Sequence, residues 1–117
     1  MKLGIYVGSF DPIHVGHIKV MDYLIEKNYL DKIVIIPTLD YWYKKNLTDI
    51  NVRCDMIKLI KRDYLILDEE SNKYKYTFEL LRELKKKYIN DELFLIIAAD
   101  NIITFHNWKN VLIQTES

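Results

Sequence analysis

Short runs of apolar residues, many of them β-branched or aromatic, alternate with more polar stretches along the chain. Runs of this length and composition are typical of β-strands. Each is bounded by turn-forming or charged residues, and they lie at about 2–7, 32–36, 64–67 and 93–98. The stretches 33–36 and 94–99 contain no polar side chain, which is typical of parallel strands buried on both faces.

The stretches between and after these runs carry apolar residues at intervals of three or four, the spacing that gives a helix one apolar face. These positions are Ile18, Met21 and Ile25; Val52, Met56 and Ile60; Leu81, Leu84 and Tyr88; and Phe105, Trp108 and Leu112. Strands that alternate with helices indicate a parallel sheet covered by crossover helices. We therefore predict an α/β fold in a single domain over 1–117, a Rossmann-like doubly wound parallel sheet of about four strands, with ligands at the carboxyl ends of the strands.

The composition is that of an ordinary globular protein. The 117 residues suffice for one core, half of them are hydrophobic, and 17 basic residues balance 17 acidic ones. This balance gives no overall positive field for a nucleic-acid partner, and no apolar segment reaches the roughly 18 residues of a membrane span. The single cysteine, Cys54, cannot form an internal disulfide, and no signal-peptide pattern precedes the first strand. The simplest prediction is a cytoplasmic protein without a nucleic-acid or membrane partner.

The candidate chemistry lies directly after the first strand, in residues 8–17, which read GSFDPIHVGH. Gly8 allows the backbone to approach a phosphate closely, and the amide groups at the start of the following helix favour an anion. His14 and His17 stand three residues apart with Gly16 between them, so on a first helical turn they face the same side. Their imidazoles can then donate to one phosphoryl group and stabilise its negative charge.

Simpler explanations exist for these histidines. Two histidines at this spacing are often surface or helix-capping residues, and a zinc site would need further ligands, for which Cys54 is a weak candidate. The loop also matches neither of the common phosphate fingerprints, GxGxxG and GxxxxGK[ST]. Its position, after a strand and a glycine turn and at the start of a helix, nevertheless favours a phosphate site.

The same ten residues resemble a known signature. The sequence His14-Val15-Gly16-His17 matches the HxGH motif of the nucleotidyltransferase superfamily, and the whole loop is similar to that of bacterial nicotinate mononucleotide adenylyltransferases. Phosphopantetheine adenylyltransferases have a similar loop with threonine in place of His14. Three further segments resemble those of the nicotinate mononucleotide adenylyltransferases and favour that branch. They are Tyr76-Thr77 before a helix; Ala99-Asp100-Asn101 followed by Phe105 and Trp108; and the series Pro37, Lys44 or Lys45, Arg53 and Met56.

The resemblance implies two groups of site residues. His14 and His17 are expected to contact the triphosphate of ATP and to stabilise the pentavalent phosphorus. The residues expected around ATP are Gly8, Ser9, Phe10, His14, Gly16, His17 and Lys44. The residues expected around the second substrate are Lys45, Arg53, Thr77, Asp100 and Trp108, the last of which is expected to stack on the pyridine ring.

Most of the second group also has simpler explanations. The neighbouring Lys44 and Lys45 fit a solvated loop pair, and Arg53 fits an exposed helix residue. Thr77 and the aspartate after the fourth strand fit helix N-caps. The tryptophan at 108 has the spacing of a core residue on an apolar helix face.

The implied reaction transfers AMP from ATP to nicotinate mononucleotide and gives deamido-NAD and pyrophosphate, a step of NAD biosynthesis. The 5′-phosphate of the mononucleotide attacks the α-phosphorus in line, and Mg²⁺ accompanies ATP and the departing pyrophosphate. Because an existing phosphate needs no general base, positioning and charge stabilisation supply the catalysis. The enzymatic alternative is another acceptor of the same superfamily, such as phosphopantetheine.

The chain also departs from the family's pattern. It contains no Ser/Thr-rich segment of the ISSTxxR type and has no basic residue after Lys109, and Ala98 stands where the family commonly has glycine. We therefore expect a form that lacks its C-terminal part, either still active or reduced to a nucleotide-binding remnant. The loss of a strand there predicts an exposed edge on the run at 93–98, and hence homo-oligomerisation or poor stability.

Overall fold

The computed structural model describes residues 1–39, 47–71, 77–99 and 102–107, with side chains at all of these except 77–78, 97–99 and 102–107. Within these ranges the chain forms helices and strands in a nearly alternating order. They are β1 (Lys2–Gly8), α1 (Val15–Glu26), β2 (Lys32–Pro37), α2 (Ile50–Lys58), β3 (Leu65–Leu67), α3 (Thr77–Lys87), β4 (Glu92–Ala99) and β5 (Ile102–Asn107). None of the described helices is long and apolar enough to cross a membrane.

The strands form one sheet in the order β3-β2-β1-β4-β5, in which β1 to β4 are parallel. The crossovers from β1 to β2 and from β2 to β3 run in one direction, and the crossover from β3 to β4 returns in the other. Right-handed crossovers therefore place α1 and α2 on one face and α3 on the opposite face. The prediction of a doubly wound parallel sheet of about four strands is confirmed.

Alternation along β2 shows how the sheet is buried. Residues 33–36 are fully buried, and successive side chains point to opposite faces. Ile33 and Ile35 pack with residues of α1 and α2, whereas Val34 and Ile36 pack with Leu80, Leu81 and Leu84 of α3. The absence of polar residues in this run, noted in the sequence, follows from this burial on both faces.

The segment after β4 differs from the prediction. The spacing of Phe105, Trp108 and Leu112 predicted a helix, but Ile102–Asn107 is the strand β5 and pairs antiparallel with β4. Residues 102–105 are β-branched or aromatic, so they favour a strand once a neighbouring edge offers hydrogen bonds. The predicted exposed edge of β4 is covered along this length, so that edge gives no reason to expect oligomerisation. Trp108 and the residues after it lie outside the described ranges.

A buried carboxylate joins the turn after β3 to the end of α3. The side chain of Asp68 is 1% exposed and accepts hydrogen bonds from the Ser71 amide at 2.9 Å, the Ser71 hydroxyl at 2.8 Å and Lys87 Nζ at 3.0 Å. Burial alone would raise the pKa of Asp68, but the hydrogen bonds from Ser71 and Lys87 outweigh burial and lower it. Asp68 is therefore held as a carboxylate that stabilises this part of the fold.

Replacing this carboxylate is expected to destabilise the protein. In Asp68→Asn an amide NH₂ group faces donors of Ser71 and Lys87, so we expect a loss of ~1–3 kcal/mol in the free energy of unfolding, measured by urea denaturation at neutral pH. The folded pKa lies below the unfolded value of about 3.9, so this stabilisation is present above about pH 4 and is lost as the pH falls through the folded pKa. The difference in the free energy of unfolding between wild type and Asp68→Asn should therefore become smaller as the pH is lowered below about 4. Asp55→Asn, at an exposed position of α2, is the matched control, and equal stabilities of the two variants would contradict this role.

Candidate active site

An aromatic cluster supports the loop between β1 and α1. The ring of Phe10 is 2% exposed, and its centroid lies 5.1 Å from that of Tyr6 and 5.0 Å from that of His17, both in edge-on arrangements. The backbone of Phe10 has a φ of 46°, in the left-handed region that residues with a Cβ seldom adopt. The loop therefore turns at Phe10 while the side chain of Phe10 enters the core. Only the backbone of Phe10 is then available for the predicted contact with ATP.

The rings of two histidines cap the start of α1 by accepting hydrogen bonds from backbone amides. His14 is the N-cap residue in an extended conformation, and its Nδ1 accepts the Gly16 amide at 3.0 Å. In return, Nδ1 of His17 accepts the His14 amide at 3.0 Å. This arrangement is a capping box in which histidines replace the usual Ser or Thr and Glu. The capping role considered as an alternative in the sequence is thus confirmed.

The cap determines which ring nitrogens remain available. A nitrogen that accepts a backbone N–H cannot carry a proton, so the ring proton of each neutral histidine lies on Nε2. Burial, and after it the charge of His14, lower the pKa of His17 and favour its neutral form. The ring centroids of His14 and His17 lie 3.9 Å apart with planes inclined by 33°, so the site offers two neighbouring N–H donors.

Gly16 is required by the ring of His14. A Cβ at this position would lie 2.7 Å from Cε1 and 3.0 Å from Nδ1 of His14. Real Cβ atoms do not approach other atoms within 3.0 Å, so any larger residue would displace the ring that caps the helix. The ring of His14 therefore occupies the space that a side chain at position 16 would need.

Arg53 lies beneath the loop and is not exposed. It is 2% exposed, which contradicts the interpretation as an exposed helix residue. Its Nη1 donates to the carbonyl oxygens of Ser9 and Thr38, each at 2.7 Å, and its Nε donates to that of Thr48 at 2.7 Å. The guanidinium thus connects the chain after β1, the chain after β2 and the chain before α2.

A contact that sequence reasoning missed holds the same region from the other side. Oδ2 of Asp11 accepts the amide of Thr48 at 2.9 Å, and this hydrogen bond lowers the pKa of the Asp11 carboxyl. Asp11 was part of the quoted loop, but its position there gave no sign of a partner 37 residues away. Thr48 is consequently held at its N–H by Asp11 and at its carbonyl by Arg53.

The remaining predicted residues lie at the same edge of the sheet or outside the described ranges. α3 begins at Thr77, so Thr77 is the first residue of the helix, and the N-cap position before it lies outside the described residues. Lys44, Lys45, Asp100 and Trp108 lie outside the described residues. Among the described residues there is no group of three or more His, Cys, Asp or Glu side chains that could hold a metal ion, and no ligand cluster joins Cys54 to the histidines.

The fold and the site together define a class of protein. Strand order reverses at β1, so the crevice outside the carboxyl ends of β1 and β4 is the expected ligand site of such a sheet. The capped start of α1 stands in this position and presents donors that suit an anion. These features are typical of a nucleotide-binding α/β domain.

The chain belongs to the cytidylyltransferase-like family, whose sequence model matches residues 5–116. A probable nicotinate-nucleotide adenylyltransferase of Flavobacterium johnsoniae is 36% identical over all of this chain and 64% of its own length. The corresponding protein of Clostridium tetani is 33% identical over 94% of this chain and 58% of its own length. The chain thus spans about three fifths of the length of the curated relatives it matches.

Solved structures with the same fold point to the same group of proteins. The chain is similar to the Plasmodium falciparum nicotinic acid mononucleotide adenylyltransferase complexed with NaAD, with a TM-score of 0.69 and 26% identity over 80% of this chain and 50% of that one. The same enzyme complexed with APC gives a TM-score of 0.65 and 25% identity, over 80% of this chain and 49% of that one. The resemblance noted in the loop sequence is confirmed by these comparisons.

The dependence of the cap on Gly16 can be tested directly. In Gly16→Ala the added methyl group should displace the His14 ring, so that its Nδ1 loses the amide of residue 16. Histidine ¹⁵N NMR spectra should then show His14 changing from a fixed Nε2–H tautomer to a mixture. Val15→Ala, at an exposed position of the same turn, should leave the spectrum unchanged. A fixed His14 tautomer in both variants would show that the ring does not depend on Gly16.

Proposed function

We propose that this chain transfers AMP from ATP to nicotinate mononucleotide, giving deamido-NAD and pyrophosphate. The observation that carries the proposal is the pair of capping histidines at the start of α1, at the carboxyl end of β1. The names of the similar proteins and the complex of one of them with NaAD support this choice of acceptor. The chain spans only part of the length of those proteins.

In this proposal the histidines act as neutral donors. The Nε2–H groups of His14 and His17 bind phosphate oxygens of ATP and stabilise the charge that develops around the α-phosphorus. The dipole of α1 adds a partial positive charge at the same end of the helix. The phosphate of the mononucleotide is already ionised and attacks in line, so the protein contributes positioning and electrostatic stabilisation and needs no base.

The other groups of the proposed site follow from the sequence resemblance. Lys44 is assigned to the phosphates of ATP together with backbone groups of Gly8, Ser9 and Phe10. The acceptor nucleotide is assigned to Lys45, Thr77, Asp100 and Trp108, the last by stacking on the pyridine ring. Magnesium is treated as part of the substrate, because Mg²⁺ usually reaches such sites bound to the phosphates and retains several of its waters. We also propose that the chain is one domain that works in the cytoplasm.

The test is pyrophosphate release from ATP and Mg²⁺ in the presence of an acceptor. Parallel reactions contain nicotinate mononucleotide, nicotinamide mononucleotide or phosphopantetheine, and ATP affinity is measured separately by calorimetry. Release that is fastest with nicotinate mononucleotide would support the proposal, whereas release only with another acceptor would replace the substrate. Measurable ATP binding without release in any reaction would identify a nucleotide-binding form without turnover.

The proposed role of the histidines predicts a large loss of turnover in His17→Ala. Removal of one donor that stabilises developing charge should lower kcat ~10²-fold or more. Circular dichroism should show that the fold survives, because the His17 ring is only half-buried. Lys27→Ala, at the exposed far end of α1, is the control and should retain full activity. Undiminished turnover in His17→Ala would exclude this mechanism.

A further inference from the structure

The contacts of Arg53 are unusual for a buried arginine. The side chain is 2% exposed, yet within the described ranges no carboxylate forms an ion pair with it. Its hydrogen bonds go instead to the carbonyl oxygens of Ser9, Thr38 and Thr48. Taking a charge out of water is unfavourable, and carbonyl dipoles compensate for it less than a carboxylate does. A residue that served only to fill this space would be apolar.

The three acceptors belong to segments that are far apart in the sequence but meet at the ligand edge of the sheet. Ser9 follows β1 in the histidine loop, Thr38 follows β2, and Thr48 precedes α2. A guanidinium has a planar fork of donors, so it can bind several carbonyls at once and hold them in fixed directions. Arg53 therefore fixes the orientation of peptide groups in the loop that leads to His14.

The Ser9–Phe10 peptide is the most informative of these groups. It is a trans peptide, in which the carbonyl and the N–H point in opposite directions. Because the Ser9 carbonyl points to the buried guanidinium, the N–H of Phe10 points away from it. The left-handed φ of Phe10 shows that the chain at this point adopts a conformation that its surroundings must enforce.

We propose that Arg53 is a positioning residue for the loop between β1 and α1. Arg53 holds the Ser9–Phe10 peptide so that the Phe10 N–H faces the phosphates of ATP, and Asp11 completes this support through Thr48. This inference rests on the proposed function and deepens it. Arg53 acts through the backbone rather than by touching the substrate, so it differs from the substrate-binding role that the sequence resemblance implied for it. Asp11 holds the amide of Thr48 while Arg53 holds its carbonyl, so the two side chains support one segment together.

Two variants of Arg53 distinguish the effect of its planar fork of donors from the effect of its positive charge. Arg53→Lys keeps the positive charge but replaces the planar fork by a single ammonium group, and Arg53→Met keeps much of the volume without charge. Both should lower ATP affinity ~10-fold or more, because the loop loses charge-assisted hydrogen bonds that orient it. In ¹⁵N spectra the Phe10 amide should shift in both free variants and should lose the response to inorganic pyrophosphate that the wild type shows.

Matched controls separate positioning from a general loss of stability. Asp68→Asn is expected to destabilise the fold away from the loop, so at a temperature well below all unfolding midpoints it should bind ATP within about twofold of wild type. Arg62→Lys changes an arginine that pairs with Asp22 on the surface and should likewise have no effect on ATP affinity. If the Arg53 variants do not fold, Asp11→Ala serves in their place. The side chain of Asp11 is exposed, so its removal should leave the fold intact, and loss of the acceptor for the Thr48 amide should weaken ATP binding several-fold.

Each outcome either supports or overturns the positioning role of Arg53. Arg53→Lys with wild-type ATP affinity would show that charge alone suffices, and losses equal to those of Asp68→Asn would show a structural role only, so either would overturn the inference. Full ATP affinity in Asp11→Ala would overturn the part assigned to Asp11, and the whole inference if the Arg53 variants do not fold. A wild-type chain that binds neither ATP nor pyrophosphate would overturn the proposed function together with this inference. A wild type that binds both, with only the Arg53 and Asp11 variants impaired, would support the inference.

Discussion

The burial of β1 in the middle of the sheet is the constraint on which the site depends. β1 pairs with β2 on one side and with β4 on the other, both in parallel. The carboxyl ends of these strands therefore meet at one edge, and the chain leaves β1 there. Because the strand order reverses at β1, the helix α1 that follows β1 and the helix α3 that leads into β4 lie on opposite faces of the sheet. A crevice is expected outside the carboxyl ends of β1 and β4. The loop after β1 lies beside this crevice, and it places His14 and His17 at the start of α1 next to the expected ligand site.

Helix capping and ligand binding are compatible roles for His14 and His17. The amides at the start of α1 need acceptors, and the Nδ1 atoms of both rings supply them. The same hydrogen bonds fix the tautomer, so the opposite nitrogen of each ring becomes a donor of fixed direction. A donor that is already oriented needs little rearrangement when charge develops on a ligand. Capping thus orients the two donors on which the proposed function depends.

The sequence predicted the central sheet because its signals are local. An apolar run such as 33–36, bounded by charged or turn-forming residues, is typical of a buried strand, and the loop with its two histidines directly follows β1 in the sequence. The helix predicted from the spacing of Phe105, Trp108 and Leu112 was wrong over 102–107, because this segment has β-branched residues that suit a strand and it pairs with β4. The burial of Arg53 could not be predicted, because its partners are backbone carbonyls, which any sequence provides.

Arg53 also shows why motif resemblance alone does not define the role of a residue. A guanidinium at the ligand edge of a sheet can bind a phosphate, or it can bind the backbone that binds the phosphate, and both roles place an arginine at the same position in the chain. The contacts distinguish them, since all the described hydrogen bonds of Arg53 go to carbonyl oxygens of the protein. A loop held in this way meets its ligand without first losing conformational freedom, so a buried charge beneath the site can favour binding without contact.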